Sequence, residues 1–276
     1  MPSLENHQSS DTTKVLVIGD SKSGKTGALT SLVKAGYKLR ILDFDNLLDP
    51  LKAFVERECP ANLGNVEYRT LRDKRKAGPE GAMIDGRPLA FSTGLKMLDN
   101  WKYDDVDLGR PCDWGPDCVL VLDSLSRFCD AAFDFRLPLA VVGRSGEIDL
   151  RAVYGDAQDA VESTLANLTS SNFKTNVIVI AHITYQETPD GIKGFPQGVG
   201  QKLSPKIPQY WPTVIRFFNK NNKRTIKTTS TPMIDLANPK PFDMLPEYPI
   251  ETGMADIFEV LRSSPKVATP AVRRVK

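Results

Sequence analysis

The chain has 276 residues, 41% hydrophobic and 25% charged, which is ordinary globular usage and enough to bury a core without disulfide staples. The formal charge of +2 excludes a strongly basic or acidic molecule, so any polyanion site has to be a local cluster. No apolar run approaches the roughly 20 residues needed to cross a bilayer, and the polar N-terminus lacks a secretory core; a soluble cytoplasmic protein with no membrane partner is expected.

Residues 1–13 read as a flexible polar tail. Lys14-Val-Leu-Val-Ile18 is a short apolar run ending at glycine, the pattern of a buried parallel strand. Thr26 to Ala35 then reads as a helix with Leu29, Leu32 and Val33 on one face and Gly36 as its C-cap. Leu39 to Phe44 and Val66 to Leu71 are the next strands. Arg72 to Arg87 is charged and glycine-rich, with Lys74-Arg-Lys76, and reads as a solvated loop. Leu89 to Trp101 is a helix and Cys118 to Asp123 a buried strand, after which Arg127 to Tyr154 reads as a long variable stretch.

A helix over about Asp156 to Ser170 follows, with Ala157, Ala160, Val161, Leu165 and Leu168 at helical spacing. Asn176 to His182 is another buried strand. Thr213 to Phe218 and Arg224 to Thr229 form a hairpin across Asn219 to Lys223. Met254 to Ser264 is a final amphipathic helix before a basic tail, 265–276. Strands alternating with helices predict one α/β domain over 14–264, its mostly parallel central sheet flanked by helices and closed by a C-terminal antiparallel hairpin. Cys59, Cys112, Cys118 and Cys129 form no C-x-x-C pair, and with two histidines in the chain they read as reduced thiols rather than a zinc site.

Gly19-Asp20-Ser21-Lys22-Ser23-Gly24-Lys25-Thr26 fits G-x-x-x-x-G-K-[ST] at every position and runs on into Gly27. The pattern lies between an apolar strand and a helix, the context in which successive amides and a helix N-terminus grip phosphate. It implies ATP and Mg²⁺ as ligands, with Lys25 on the β- and γ-phosphates and the Thr26 hydroxyl on the metal. A P-loop needs a carboxylate at the end of a neighbouring strand. Asp123, closing Val119-Leu-Val-Leu-Asp123 before Ser124, supplies it. Asp43 and Asp45, two residues apart and so on one face of an extended strand, are candidates for orienting water.

The order of these motifs resembles the RecA-like ATPase core, above all the phage-type single-domain RecA-like ATPases of recombination and single-strand annealing. Besides the P-loop, the resemblance rests on Ile41 to Pro50, Val119 to Ser124, Val177 to His182, and the hairpin after a connecting loop. It places Asp45, one methylene shorter, where the family has its catalytic glutamate, and His182 where a polar group senses the γ-phosphate. It also implies that Thr184 to Pro208, with Lys193, Lys202 and Lys206 and with Tyr185 and Phe195, is a mobile loop contacting single-stranded DNA. Lys223 or Arg224 would reach a neighbouring subunit's nucleotide in a homo-oligomeric ring or filament. A single-strand-binding or annealing protein is a further expected partner. A nucleotide-switched loader or regulator with slow hydrolysis and a small-molecule kinase are the competing readings.

Overall fold

The computed structural model of the chain describes residues 12–79, 81–141 and 148–263. The expected basic tail, 265–276, and nearly all of the expected N-terminal tail lie outside the described residues.

The first half runs β1 (Lys14–Gly19), α1 (Thr30–Lys34), β2 (Lys38–Asp43), α2 (Asp49–Glu58), β3 (Val66–Thr70), β4 (Arg75–Gly78), β5 (Gly81–Ile84) and α3 (Ala90–Asp99). Two short strands, β6 (Lys102–Tyr103) and β7 (Val106–Asp107), precede β8 (Cys118–Asp123) and α4 (Leu125–Arg136). Then come α5 (Leu150–Thr169), β9 (Asn176–Ala181), β10 (Ile183–Thr188), β11 (Gly191–Pro196) and α6 (Gly200–Leu203). The chain continues with β12 (Thr213–Lys220), β13 (Lys223–Lys227), β14 (Glu247–Pro249) and α7 (Gly253–Arg262).

Eight strands form one sheet in the order β14-β13-β12-β1-β9-β8-β2-β3. All neighbours from β12 to β3 pair in parallel, and β13 and β14 add antiparallel edges. This is the expected α/β class, with helices on both faces. Successive residues of a strand face opposite sides, and β1 shows the consequence. Leu16 and Ile18 join Leu120, Leu122, Phe91, Phe128 and Leu165 on one face; Val15 and Val17 join Ile41, Val121, Leu32, Val55 and Phe258 on the other. Burying each such side chain is worth about 1.5–3 kcal/mol, so the central strands are the fixed frame on which the loops at their carboxyl ends are held.

Four expectations are corrected. The region 72–87 contains an antiparallel hairpin, β4 with β5, where a loop was expected; its two strands have four residues each, too short to show a period. The stretch from Arg127 holds α4, whose Ala131, Ala132, Phe128 and Cys129 are buried and whose Ser124 N-cap is the start signal that reading passed over. Thr184 to Pro208 is largely ordered: β10 and β11 pair from Ile183↔Pro196 to Thr188↔Gly191. The helix expected from Thr26 opens instead as a 3-10 turn, Gly27–Leu29, and is α-helical only over Thr30–Lys34. The hairpin β12–β13 is as expected but tighter. Asn221 and Asn222, at φ 53° and 62°, make the two-residue turn that Lys220↔Lys223 pairing requires. Among the described residues no helix is long and apolar enough to cross a membrane.

Candidate nucleotide site at the P-loop

The P-loop bridges the end of β1 and the 3-10 turn before α1, so its amides sit at the carboxyl edge of the sheet, where ligands bind in such folds. Its curl depends on Gly24, at φ +94°, where an added Cβ would stand 2.5 Å from Ile250 Cδ1 and 3.2 Å from Arg224 Cδ. Any side chain here would be both strained and in collision. Lys25 is buried, and its ammonium donates hydrogen bonds of 2.8 Å to the carbonyls of Gly19 and Asp20. Burial lowers its pKa, opposed by the charges of Asp123, Asp20 and Asp45. Ser23, also buried, has a hydroxyl without a hydrogen-bond partner among the described residues. A cradle closed to side chains, a lysine folded onto loop carbonyls and an orphaned hydroxyl together fit a polyphosphate.

The two residues expected at the metal also meet. Thr26 Oγ1 donates a 2.7 Å hydrogen bond to Asp123 Oδ2. Burial pushes the Asp123 carboxyl up to about 6, against the hydrogen bond from Thr26. A hydroxyl and a carboxylate are the hard oxygen donors that Mg²⁺ takes, with water completing its shell. These residues therefore fit the ion, although no group of three or more ligating side chains gathers among the described residues.

Asp123 also fixes the next carboxylate. Its main-chain oxygen accepts from the amides of Phe44 at 2.6 Å and Asp45 at 3.3 Å, turning the chain out of β2. Phe44 is locked below by an edge-to-face contact with Phe128, centroids 5.3 Å apart. Because β2 ends at Asp43, the two carboxylates do not share a strand face as expected. Asp43 is committed to the Asn46 amide at 2.7 Å and the Thr70 hydroxyl at 3.1 Å. Asp45 instead meets Ser124 Oγ at 3.1 Å, His182 Nε2 at 3.7 Å and Arg127 Nε at 3.8 Å. Burial works against the charged form of Asp45, but His182, the Ser124 hydroxyl and the Arg127 guanidinium bring its pKa below the ordinary value.

His182 lies between β9 and β10. Its amide donates to Ser126 Oγ at 3.0 Å and its carbonyl accepts from the Gln197 amide at 2.8 Å, so it is stitched to α4 and to the end of the β10–β11 ribbon. Lys193 and Lys206 are paired with Asp235 and Glu162, each at 2.9 Å. Lys202 is exposed, as is Tyr185; Phe195 is half-buried. Lys223 is exposed on the β13 hairpin. Arg224 folds over Gly24 of its own chain, and with Asn221, Lys223 and Glu251 it lines a cavity of about 430 Å³.

Sequence reasoning missed Arg127 and the part played by Ser124. The serine closes the pair Asp123-Ser124 and caps α4 by accepting from the Arg127 amide at 3.4 Å. A capping serine three residues before an arginine was the available signal.

A family model described as AAA domain matches residues 82–238, a span that begins beyond the P-loop and includes Asp123 and His182. No curated protein sequence matches the chain. Among solved structures, the RadB recombinase is similar at 15% identity and a TM-score of 0.41, over 79% of this chain and 80% of that one. The ATPase EscN of the enteropathogenic E. coli type III secretion system, solved with its stalk EscO, is similar at 12% identity and a TM-score of 0.41, over 77% of this chain and 43% of that one. The ATP synthase subunit NeqB of Nanoarcheaum equitans is similar at 8% identity and a TM-score of 0.36, over 75% and 47%. The family match takes in more than half of the 276 residues, and the chain belongs to the AAA domain family.

Proposed function

We propose that the protein binds and hydrolyses ATP with Mg²⁺ at the P-loop, and couples this to single-stranded DNA in the manner of the phage-type RecA-like ATPases it resembles. The observation that carries the reading is the 2.7 Å bond between Thr26 and Asp123, which joins the P-loop to the carboxylate strand across the intervening β9.

On this reading the amides of Gly19 to Gly27, with the helix start beyond them, hold the phosphates, and Lys25 exchanges its loop carbonyls for phosphate oxygens. Thr26 and Asp123 hold Mg²⁺, which when bound neutralises charge developing on the phosphates. Asp45 is kept ionised at neutral pH by its neighbours and orients water for attack on the γ-phosphate. His182, touching Asp45 and anchored to the β10–β11 ribbon, carries the state of the site outward. Two sites coupled through one residue affect each other reciprocally.

Arg224 stabilises transition-state charge. Its position over Gly24 of its own chain supports action within one chain, and action across a subunit boundary in a ring or filament is the alternative. Mixing Lys25→Ala with Arg224→Ala protein separates them: restored activity requires the trans arrangement, and none is expected in cis. The ion-paired Lys193 and Lys206 favour a second reading, a nucleotide-switched module whose ribbon docks a protein such as an annealing partner. ATPase rates with and without single-stranded DNA across a salt series test the choice. Stimulation that fades steeply with salt supports DNA coupling; tight nucleotide binding with no stimulation supports the switch.

A further inference from the structure

The cations first expected to meet DNA are largely committed, since Lys193 and Lys206 each hold a carboxylate. The opposite edge of the sheet is different. β3 ends the eight-stranded order, and the chain leaves it through the β4–β5 hairpin. Between 72 and 87 the described cations are Arg72, Lys74, Arg75, Lys76 and Arg87. Arg75 is held by Asp134 at 3.1 Å and Lys76 by Asp85 at 2.9 Å. The remaining carboxylate among the described residues, Asp73, accepts the Leu89 and Ala90 amides at the start of α3.

That leaves Arg72, Lys74 and Arg87 exposed and without a carboxylate partner among the described residues. Three free cations within one exposed hairpin segment supply the charge that the phosphates of a single strand require. The hairpin also approaches the Asp45 cluster. Arg72 and Arg75 line a cavity of about 220 Å³ with Asp73, Asp130, Asp134 and Arg127, and the Arg127 guanidinium bonds Asp130 at 2.9 Å and lies 3.8 Å from Asp45.

We infer that the β4–β5 hairpin and the turns flanking it form the surface that takes single-stranded nucleic acid, with Arg72, Lys74 and Arg87 on the backbone. The inference rests on the proposed coupling to DNA and moves its site from the β10–β11 ribbon to the other side of the Asp45 cluster. A strand seated there lies one residue, Arg127, from the carboxylate that orients water.

The test is binding of a fluorescent oligothymidylate by the full chain over a salt series, with the melting midpoint of each variant confirming that it folds. The variant Arg72→Ala/Lys74→Ala/Arg87→Ala is expected to bind on the order of tenfold more weakly or worse, with a salt slope shallower by about 2, since each lost phosphate contact removes roughly 0.7. If the triple variant binds as the unmodified protein does, or if Lys193→Ala/Lys202→Ala/Lys206→Ala alone abolishes binding, this surface is wrong and the DNA coupling stands. If the unmodified protein binds no oligonucleotide at low salt, the coupling itself falls and this inference with it.

Discussion

The Thr26 hydroxyl donates to Asp123 Oδ2 across 2.7 Å, so the residue that ends the P-loop and the one that ends β8 form a single oxygen pair. Because that pair is where the metal would sit, its loss should show as loss of metal dependence. Thr26→Ala and Asp123→Asn are each expected to weaken Mg·ATP binding by tenfold or more while changing affinity for metal-free ATP little. Titrating nucleotide with and without Mg²⁺ checks this. Equal losses in both conditions would mean that the pair serves the loop's shape instead.

Asp45 is positioned by three side chains from two elements, Ser124 and Arg127 of the α4 start and His182 beyond β9. Asp45→Asn should lower kcat by about 10²–10⁴, the range for a positioned acid–base group, with nucleotide affinity retained. Arg127→Ala should give a smaller loss and move the acidic limb of the pH–rate profile upward, because one of the charges keeping the Asp45 carboxyl below its ordinary pKa is gone. Arg127→Lys should restore much of both. Full activity in Asp45→Asn would remove Asp45 from the mechanism.

Gly24 tests the cradle itself. Gly24→Ala places a Cβ 2.5 Å from Ile250 Cδ1 at φ +94°, with an expected stability cost of roughly 1–3 kcal/mol and loss of nucleotide binding. Pairing it with Ile250→Ala relieves the collision but not the strain, so stability should recover only in part. Urea denaturation of the two variants measures the difference.

Most of the frame was legible because buried parallel strands announce themselves as continuous apolar runs. Lys14 to Ile18, Cys118 to Asp123 and Asn176 to Ala181 were each found within a residue or two. The P-loop and Asp123 were legible for a different reason, since phosphate and metal chemistry dictates residue type and spacing. What stayed hidden depends on contacts between distant parts of the chain. The α4 helix mixes Arg127, Asp130 and Asp134 with its buried side, which dilutes the apolar stripe. The β10–β11 and β4–β5 ribbons pair only locally, and their glycines resemble loop composition. That Asp43 turns to Thr70 while Asp45 turns to His182 follows from the Asp123 carbonyl capturing two amides, a bend no local pattern reveals.

Lys14 offers a test away from the site. Its side-chain nitrogen donates to the carbonyls of Phe173 at 2.6 Å and Thr175 at 2.5 Å, and burial pushes its pKa down to about 7 from the usual 10.5. The unfolded chain therefore binds this proton more tightly than the folded one. The contribution is greatest above the unfolded pKa and is lost as pH falls towards 7. Relative to Lys14→Met, the unmodified protein is expected to gain roughly 2–4 kcal/mol between pH 7 and 10, read from urea unfolding of both. A difference between the two that is flat with pH would show that the amine stays protonated in the fold.

The central claim is that the loop from Gly19 to Thr26 grips a nucleotide polyphosphate. Isothermal titration of ATP into the folded protein, with and without Mg²⁺ and beside Lys25→Ala, tests it most directly. The account predicts saturable, magnesium-dependent uptake of one ATP per chain, lost in the variant while its fold survives. Heat flow indistinguishable from dilution, or equal binding in Lys25→Ala, would contradict it.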